Sequence, residues 1–147
     1  MLKPKKIVEK DIDPNTIGSL ALAYLGDGVY EAAIRQHLVK GGIVRPQHLQ
    51  GYATHYVSAK AQAGLITKMK ELNKLTAEEM AIFKRGRNAN SYTHAKNTSI
   101  STYKLSTGFE AMIGYLYLSK QYDRLDNLIA WCIEQVENGE NNAKRFE

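Results

Sequence analysis

The chain of 147 residues has a single cysteine, three prolines and one tryptophan, and no uncharged apolar run approaches the ~20 residues that a membrane span requires. Each scarcity excludes something. One cysteine, Cys132, forbids an intrachain disulfide and suits a reducing compartment, so the cytoplasm is the expected location and no membrane is an expected partner. Within the run LIAWCI that cysteine reads as a small core filler rather than a nucleophile. The opening stretch MLKPKKIVEKDID is basic but has no apolar segment of the signal-peptide kind. His37, His48, His55 and His94 show neither an HExxH pair nor zinc spacing with cysteine. A GxxxxGK[ST] phosphate loop and a GxSxG elbow are missing too, which removes the commonest nucleotide-binding and serine-hydrolase readings.

Negative charge is absent from one long stretch. Between Glu79 and Glu110 there is no acidic residue, whereas Lys84, Arg85, Arg87, Lys96 and Lys104 all fall there. The remaining 15 basic residues balance the 15 acidic ones, so the net charge of +5 is entirely local. A local excess of this kind is expected where a surface meets a polyanion, and equally of a loop that is merely solvated.

What is present is helix after helix. Asp13 before Pro14 has the order of an N-cap and first helical residue, opening a helix that runs to 40 and stops at Gly41 and Gly42, with Gly18, Gly26 and Gly28 as potential kinks. Pro46 opens a second helix and Ser58 caps a third. Thr76 with Glu79 makes a capping box for a fourth, predicted to end near Gly86. Residues 86–101, GRNANSYTHAKNTSIS, show no apolar period and read as a long functional loop. Two more helices are predicted over 102–119 and 123–136, followed by a fraying tail. No strand pattern appears, so the expected class is all-α.

Two of these helices carry acids in apolar surroundings. Over residues 14–34 the only charges are Asp27 and Glu31, which share a helical face with Leu20, Tyr24, Ile34 and Leu38. Over 105–119 the only charge is Glu110, ringed by Phe109, Met112, Ile113, Leu116 and Tyr117, the mark of a helix in the middle of a domain. An unpaired carboxylate buried there would cost several kcal/mol or take up a proton. Opposed carboxylates on two central helices could instead hold a hard cation such as Mg²⁺. The competing explanation is that Glu110 pairs with Arg35 or a lysine, or accepts hydrogen bonds from a neighbouring helix. An acidic cation site beside basic residues is the equipment of phosphodiester hydrolysis: the acids hold the metal, and Lys84, Arg85, Arg87, Asn88, Lys96 and Lys104 contact the nucleic-acid backbone.

The residues now resemble a family. AYLGDGVYE is similar to the ribonuclease III signature, and FEAMIGYLYL to that family's second motif. VRPQHLQGYATHYVSAKAQA and FKRGRNANSYTHAKNTSISTYKLSTGFEA resemble Mini-III, the compact branch without a double-stranded-RNA-binding domain, and the match spans about 17–128. The resemblance implies that Asp27 and Glu110 are the catalytic metal-binding acids, with Glu31 a weaker candidate ligand and Mg²⁺, or Mn²⁺ in its place, the cofactor. Where the wider family usually has two more carboxylates, this chain has Ala23 and Thr107.

It further implies a ribonuclease III-type catalytic domain over 1–138, a flexible tail over 139–147, and a two-fold homodimer. Each subunit of that dimer would cut one strand of double-stranded RNA to leave 5′-phosphate ends. The implied substrate is precursor large-subunit (23S) ribosomal RNA, with room for a ribosomal protein that presents it. Two alternatives stay open: a non-catalytic double-stranded-RNA-binding scaffold that lost metal competence through Ala23 and Thr107, and an all-α nucleotide pyrophosphohydrolase. The second lacks its usual Glu-Glu-x-x-Glu cluster, because Glu78-Glu79 is followed by Ile82.

Overall fold

A computed structural model describes residues 1–90 and 98–147, and every regular element among them is helical. Six α-helices follow in order: α1 (Ser19–Lys40), α2 (Pro46–Val57), α3 (Ala59–Glu71), α4 (Ala77–Asn88), α5 (Ile100–Leu118) and α6 (Tyr122–Glu137), with short 3₁₀ turns at Pro14–Thr16 and Ala143–Phe146.

Local chemistry sets most of the boundaries. Ser58 Oγ accepts from the Ala61 amide at 3.2 Å to open α3. Thr76 and Glu79 exchange reciprocal hydrogen bonds of 3.1 and 2.9 Å to open α4. Pro46 stands at the first turn of α2, and Gly42, at φ +91°, follows the end of α1. Asp13 behaves differently from expectation. Its carboxylate accepts from the Asn15 amide, but what it caps is the 3₁₀ turn; Ile17 is extended and α1 begins only after Gly18.

Helix α5 is the central rod. Eleven of its residues are buried, from Thr102 to Leu116, and α1, α3 and α4 pack around it. Close approach is made possible by glycine. A Cβ on Gly26 of α1 would strike the Glu110 carbonyl and come within 2.7 Å of the Gly114 amide, so the two backbones cross almost in contact. On another side, a Cβ on Gly86 would come within 2.8 Å of Ala111 Cβ and 3.0 Å of Gly108 Cα. This second contact explains why the expected break at Gly86 does not occur: α4 runs on to Asn88, and Arg87 and Asn88 are helical. At its other end the expected loop is shorter too, since Ser99 caps α5 from Ile100.

The tail over 139–147 is laid along α3. Its backbone at 141–143 covers Gly64, Lys68 Nζ donates to the Glu140 carbonyl at 2.6 Å, and Arg145 pairs with Glu71 at 2.8 Å. The charges of α3 and of the tail are complementary, which a composition-based reading of NGENNAKRFE does not reveal. Cys132 is buried in the core against Tyr30, as a filler should be. Among the described residues no helix is long and apolar enough to cross a membrane.

Candidate active site

The contact that locks α1 onto α5 also assembles the acids. Asp27 follows Gly26, and Glu110 supplies the carbonyl against which Gly26 rests. The two carboxyls thereby come within hydrogen-bonding reach of each other. Their settings are unequal. Asp27 is exposed, while Glu110 is half-buried.

This corrects one expectation. The buried stripe of α1 is Leu22, Ala23, Gly26, Tyr30, Ile34 and Leu38, whereas Leu20, Tyr24 and Asp27 are exposed. The acids of α1 lie at the margin of the core face rather than within it. Only Ile34 and Leu38, of the residues assigned to share their face, are fully covered.

The electrostatics of Glu110 follow from this placement. Burial raises its carboxyl pKa, the adjoining Asp27 raises it further, and Glu31 adds a weaker push, so that it titrates at about 8. Near neutral pH Glu110 therefore keeps its proton. The side-chain amide of Gln62 acts in the opposite sense and favours the charged form. Glu31 is partly engaged elsewhere: Arg35 Nη2 donates to its Oε2 at 3.1 Å, one turn along α1. Arg35, the suggested structural partner of Glu110, is therefore bonded to Glu31.

The donor set suits a hard divalent cation. Two carboxylates face each other, a third acid stands nearby, and a neutral amide adjoins them. Among the described residues no group of three or more His, Cys, Asp and Glu converges as a ready-made cage. Ala23 lies in the core, and Thr107 Oγ1 donates at 3.0 Å to the Tyr103 carbonyl of its own helix. Mg²⁺ is commonly held by one or two carboxylates and completes its shell with water and phosphate oxygens, so a sparse site of this kind fits it.

The basic residues divide. Lys84 and Arg85 are exposed on α4, and Lys104 is exposed on α5, six positions before Glu110. Arg87 lies over the Phe83 ring at 5.5 Å and donates from Nε to Asn88 Oδ1 at 3.2 Å. Because Gly86 rests against Thr107, Gly108 and Ala111, the basic end of α4 borders the segment carrying Glu110. Lys96, with Tyr92 and His94, lies outside the described residues.

Gln62 was not singled out by its sequence. It is 1% exposed, on the face of α3 that packs toward α5, and its Nε2 has no hydrogen-bond partner of normal geometry. A signal existed: Gln62, Ile66 and Met69 follow the i, i+4, i+7 spacing of a buried stripe, so a polar residue occupies a core position.

An all-helical domain with acids at a glycine-packed helix crossing has a known counterpart. The model of the Ribonuclease III domain matches residues 20–121, and the chain belongs to the ribonuclease III family. Its relatives narrow this to the Mini-ribonuclease III branch. The chain is 52% identical over 126 residues to Mini-ribonuclease 3 of Streptococcus pneumoniae, covering 86% of this chain and 98% of that one. It is also 52% identical over 132 residues to Mini-ribonuclease 3 of Enterococcus faecalis, covering 90% and 98%. A crystal structure of a Fusobacterium nucleatum protein superimposes with a TM-score of 0.71 at 30% identity, over 81% of this chain and 93% of that one. The chain is a ribonuclease of this family.

Proposed function

We propose that the chain is a divalent-metal-dependent endoribonuclease that cuts double-stranded RNA as a two-fold homodimer. Each cut would leave a 5′-phosphate and a 3′-hydroxyl, and the substrate would be precursor large-subunit ribosomal RNA. The observation that carries the chemistry is the apposition of Asp27 and Glu110, which retains a proton at neutral pH where a cation could stand instead. Mg²⁺, or Mn²⁺ in its place, would supply a water of lowered pKa and offset charge on the reacting phosphate. Asp27 and Glu110 would hold it, with Glu110 giving up its proton on loading, and Glu31 would add negative charge. Lys84 and Arg85, exposed on α4, and Lys104, exposed on α5, would contact the RNA backbone, with Arg87 and Asn88 at the end of α4.

Dimerisation is supported by an unpartnered face of α1. Leu20 is 43% exposed and Tyr24 86% exposed. Leu25, Gly28, Val29, Ala32 and Ala33 line, with Tyr117 of α5, a groove of about 430 Å³. Small residues at such a face let a second copy approach closely, and a two-fold partner would cover it symmetrically. The ribosomal substrate rests on the family resemblance, and a ribosomal protein that presents the RNA is compatible with it.

A long duplex RNA incubated with and without Mg²⁺, its product ends mapped by sequencing, tests this reading. Metal-dependent cuts on both strands with 5′-phosphate ends are expected. Bound but uncut duplex at saturating Mg²⁺ or Mn²⁺ would favour the non-catalytic scaffold.

A further inference from the structure

A second stretch of the chain is free of acids. Residues 32–70 contain no aspartate or glutamate, and most of their lysines and arginines are engaged: Arg35 with Glu31, Lys60 with Glu147, Lys68 with Glu140, and Lys70 over the Phe83 ring. Lys40 and Arg45 are exposed and, among the described residues, have no such partner. From Arg45 the outer face of α2 continues. Gln47, Gln50, Gly51 and Thr54 follow the i, i+3, i+4, i+7 spacing of one helical face, and all four are exposed. Gly51 is the least expected of them. Glycine weakens a helix interior relative to alanine, yet a Cβ at Gly51 would meet nothing within 4 Å, so no contact inside the chain calls for it. A bare point on the helix is explained if something outside the chain comes close to its backbone. This face also borders the acids. Gln50, Ala53 and Val57 line one small cavity with Glu31, Ile34 and Arg35, and Glu31 stands one turn from Asp27. The acid site is thus flanked by α4 next to Glu110 and by α2 next to Glu31.

We propose that the outer face of α2 is a second surface for duplex RNA: Gln47 and Gln50 meet ribose 2′-hydroxyls, Gly51 lets the RNA come close to the helix, and Arg45 meets a phosphate. The inference rests on the duplex-RNA reading above and deepens it. The minor groove of A-form RNA is wide and shallow and displays its 2′-hydroxyls, and a side-chain amide can both donate to a hydroxyl and accept from one. A helix face without a single acid sets no repulsion against the neighbouring phosphates. The two surfaces then divide the work. The basic end of α4 supplies charge, which any nucleic acid would satisfy, whereas the amides of α2 address the hydroxyl that distinguishes RNA from DNA.

The test measures binding of a blunt duplex RNA by fluorescence anisotropy, with chelator so that no cleavage intervenes. Gly51→Leu places a side chain in open space, so its thermal midpoint should equal or exceed that of wild type while its RNA affinity falls about 10-fold, as when two hydrogen bonds are lost. A purely structural glycine would give the stability gain without the binding loss. The double variant Gln47→Ala, Gln50→Ala should also bind about 10-fold more weakly, with its salt dependence unchanged because neutral amides displace no counterions. Arg45→Ala should instead lower the log–log salt slope by roughly one unit. Folded Gly51→Leu and double-glutamine variants that bind as wild type does would overturn the proposal. Should the variants fail to fold, the wild-type side-chain amides of Gln47 and Gln50 still decide: their NMR resonances must shift on adding duplex RNA, and unmoved resonances at saturation overturn the surface. Wild-type protein that binds no duplex RNA, with or without Mg²⁺, would overturn the duplex-RNA reading itself, an outcome distinct from wild type and variants binding it equally.

Discussion

Two glutamates, each on a helix and each drawn at least partly out of water, have opposite fates in this molecule. Glu79 is 2% exposed, yet its carboxyl is held below the ordinary carboxylate range. Burial works against its charge, but the Arg124 guanidinium grips it with two hydrogen bonds of 2.8 Å, and the Thr76 backbone amide donates at 2.9 Å. Glu110 titrates far higher: burial raises its pKa, and what it faces is a second acid, Asp27, which raises it further instead of offsetting the cost. Depth of burial does not separate structural from functional carboxylates here; the partner does. A buried acid given an arginine and a helix N-terminus stabilises the fold. An acid set against another acid destabilises the metal-free fold, and such an arrangement is a mark of sites that bind or react.

The largest expected effect breaks the comparison on the functional side. Asp27→Asn or Glu110→Gln should retain the fold and RNA binding while lowering turnover at least ~100-fold, as loss of a metal-holding group does. Glu31→Gln should lose less, because Glu31 already has Arg35 as a partner. Single-turnover cleavage of a duplex under saturating Mg²⁺ is the measurement. A folded Asp27→Asn protein that cuts at near wild-type rate would place the acid outside the chemistry.

On the structural side the effect belongs to stability. Arg124→Met leaves Glu79 enclosed without its counter-charge and also removes the 2.7 Å hydrogen bond to the Lys74 carbonyl. A loss on the order of 3 kcal/mol is expected from breaking a largely buried pair on one side. Denaturant unfolding measures it, and turnover per folded molecule at low temperature should be unchanged. A drop in turnover comparable with that of Asp27→Asn, at unchanged stability, would reverse the two assignments.

The sequence disclosed these two acids unequally, for reasons that are physical. Thr76 and Glu79 stand three apart, and a capping box is a local exchange between neighbours, so it could be read directly. That Glu79 also meets Arg124, 45 positions away, depends on how α6 packs and has no local trace. Asp27, with Glu31, and Glu110 stood out because no other charge lies near them in sequence, and the motif resemblance joined Asp27 to Glu110. Their actual contact depends on Gly26, read from sequence as a potential kink, which instead lets α1 touch α5. The same error of reading glycine as a breaker ended α4 too early at Gly86. Helix-packing glycines and loop glycines look alike until the partner helix is known. Gln62 stayed hidden because a glutamine among alanines is ordinary on an exposed helix, and only the packing of α3 on α5 shows that it is covered.

The pH dependence of stability sharpens the contrast further. For Glu79 the folded pKa is below the unfolded value, so its stabilisation is present above about 4.5 and is lost as pH falls through the folded value. For Glu110 the folded pKa lies above the unfolded value. Its contribution is fully present below about 4.5 and is lost as pH rises through about 8. In chelator the wild-type protein should therefore lose part of its stability across that interval, and Glu110→Gln should remove that part of the dependence. Mg²⁺ should oppose the loss by favouring the charged pair, with proton release on binding near neutral pH. Unfolding curves in chelator at several pH values decide the point: coincident profiles for wild type and Glu110→Gln would mean that the pair holds no extra proton.

The smallest effect concerns residues that touch the RNA without taking part in the reaction. Arg85 is exposed on α4 and Arg87 lies along Phe83 two residues on, while Gly86 between them keeps this end of the helix against the segment bearing Glu110. A guanidinium so placed can reach backbone phosphates whatever the base sequence. For every phosphate that a variant no longer neutralises, the log–log salt dependence of binding should fall by roughly one unit. The double variant Arg85→Ala, Arg87→Ala should therefore bind duplex RNA more weakly and less salt-sensitively. Its rate at saturating RNA should fall less than in the acid variants, because uniform binding is expressed in KM rather than in the chemical step. Arg87 also covers Phe83, so the double variant is expected to lose some packing as well as charge, and Arg85→Ala alone isolates the electrostatic part. If neither affinity nor salt slope changes in either variant, the basic end of α4 serves solubility, and the RNA must be gripped by other lysines and arginines of the chain.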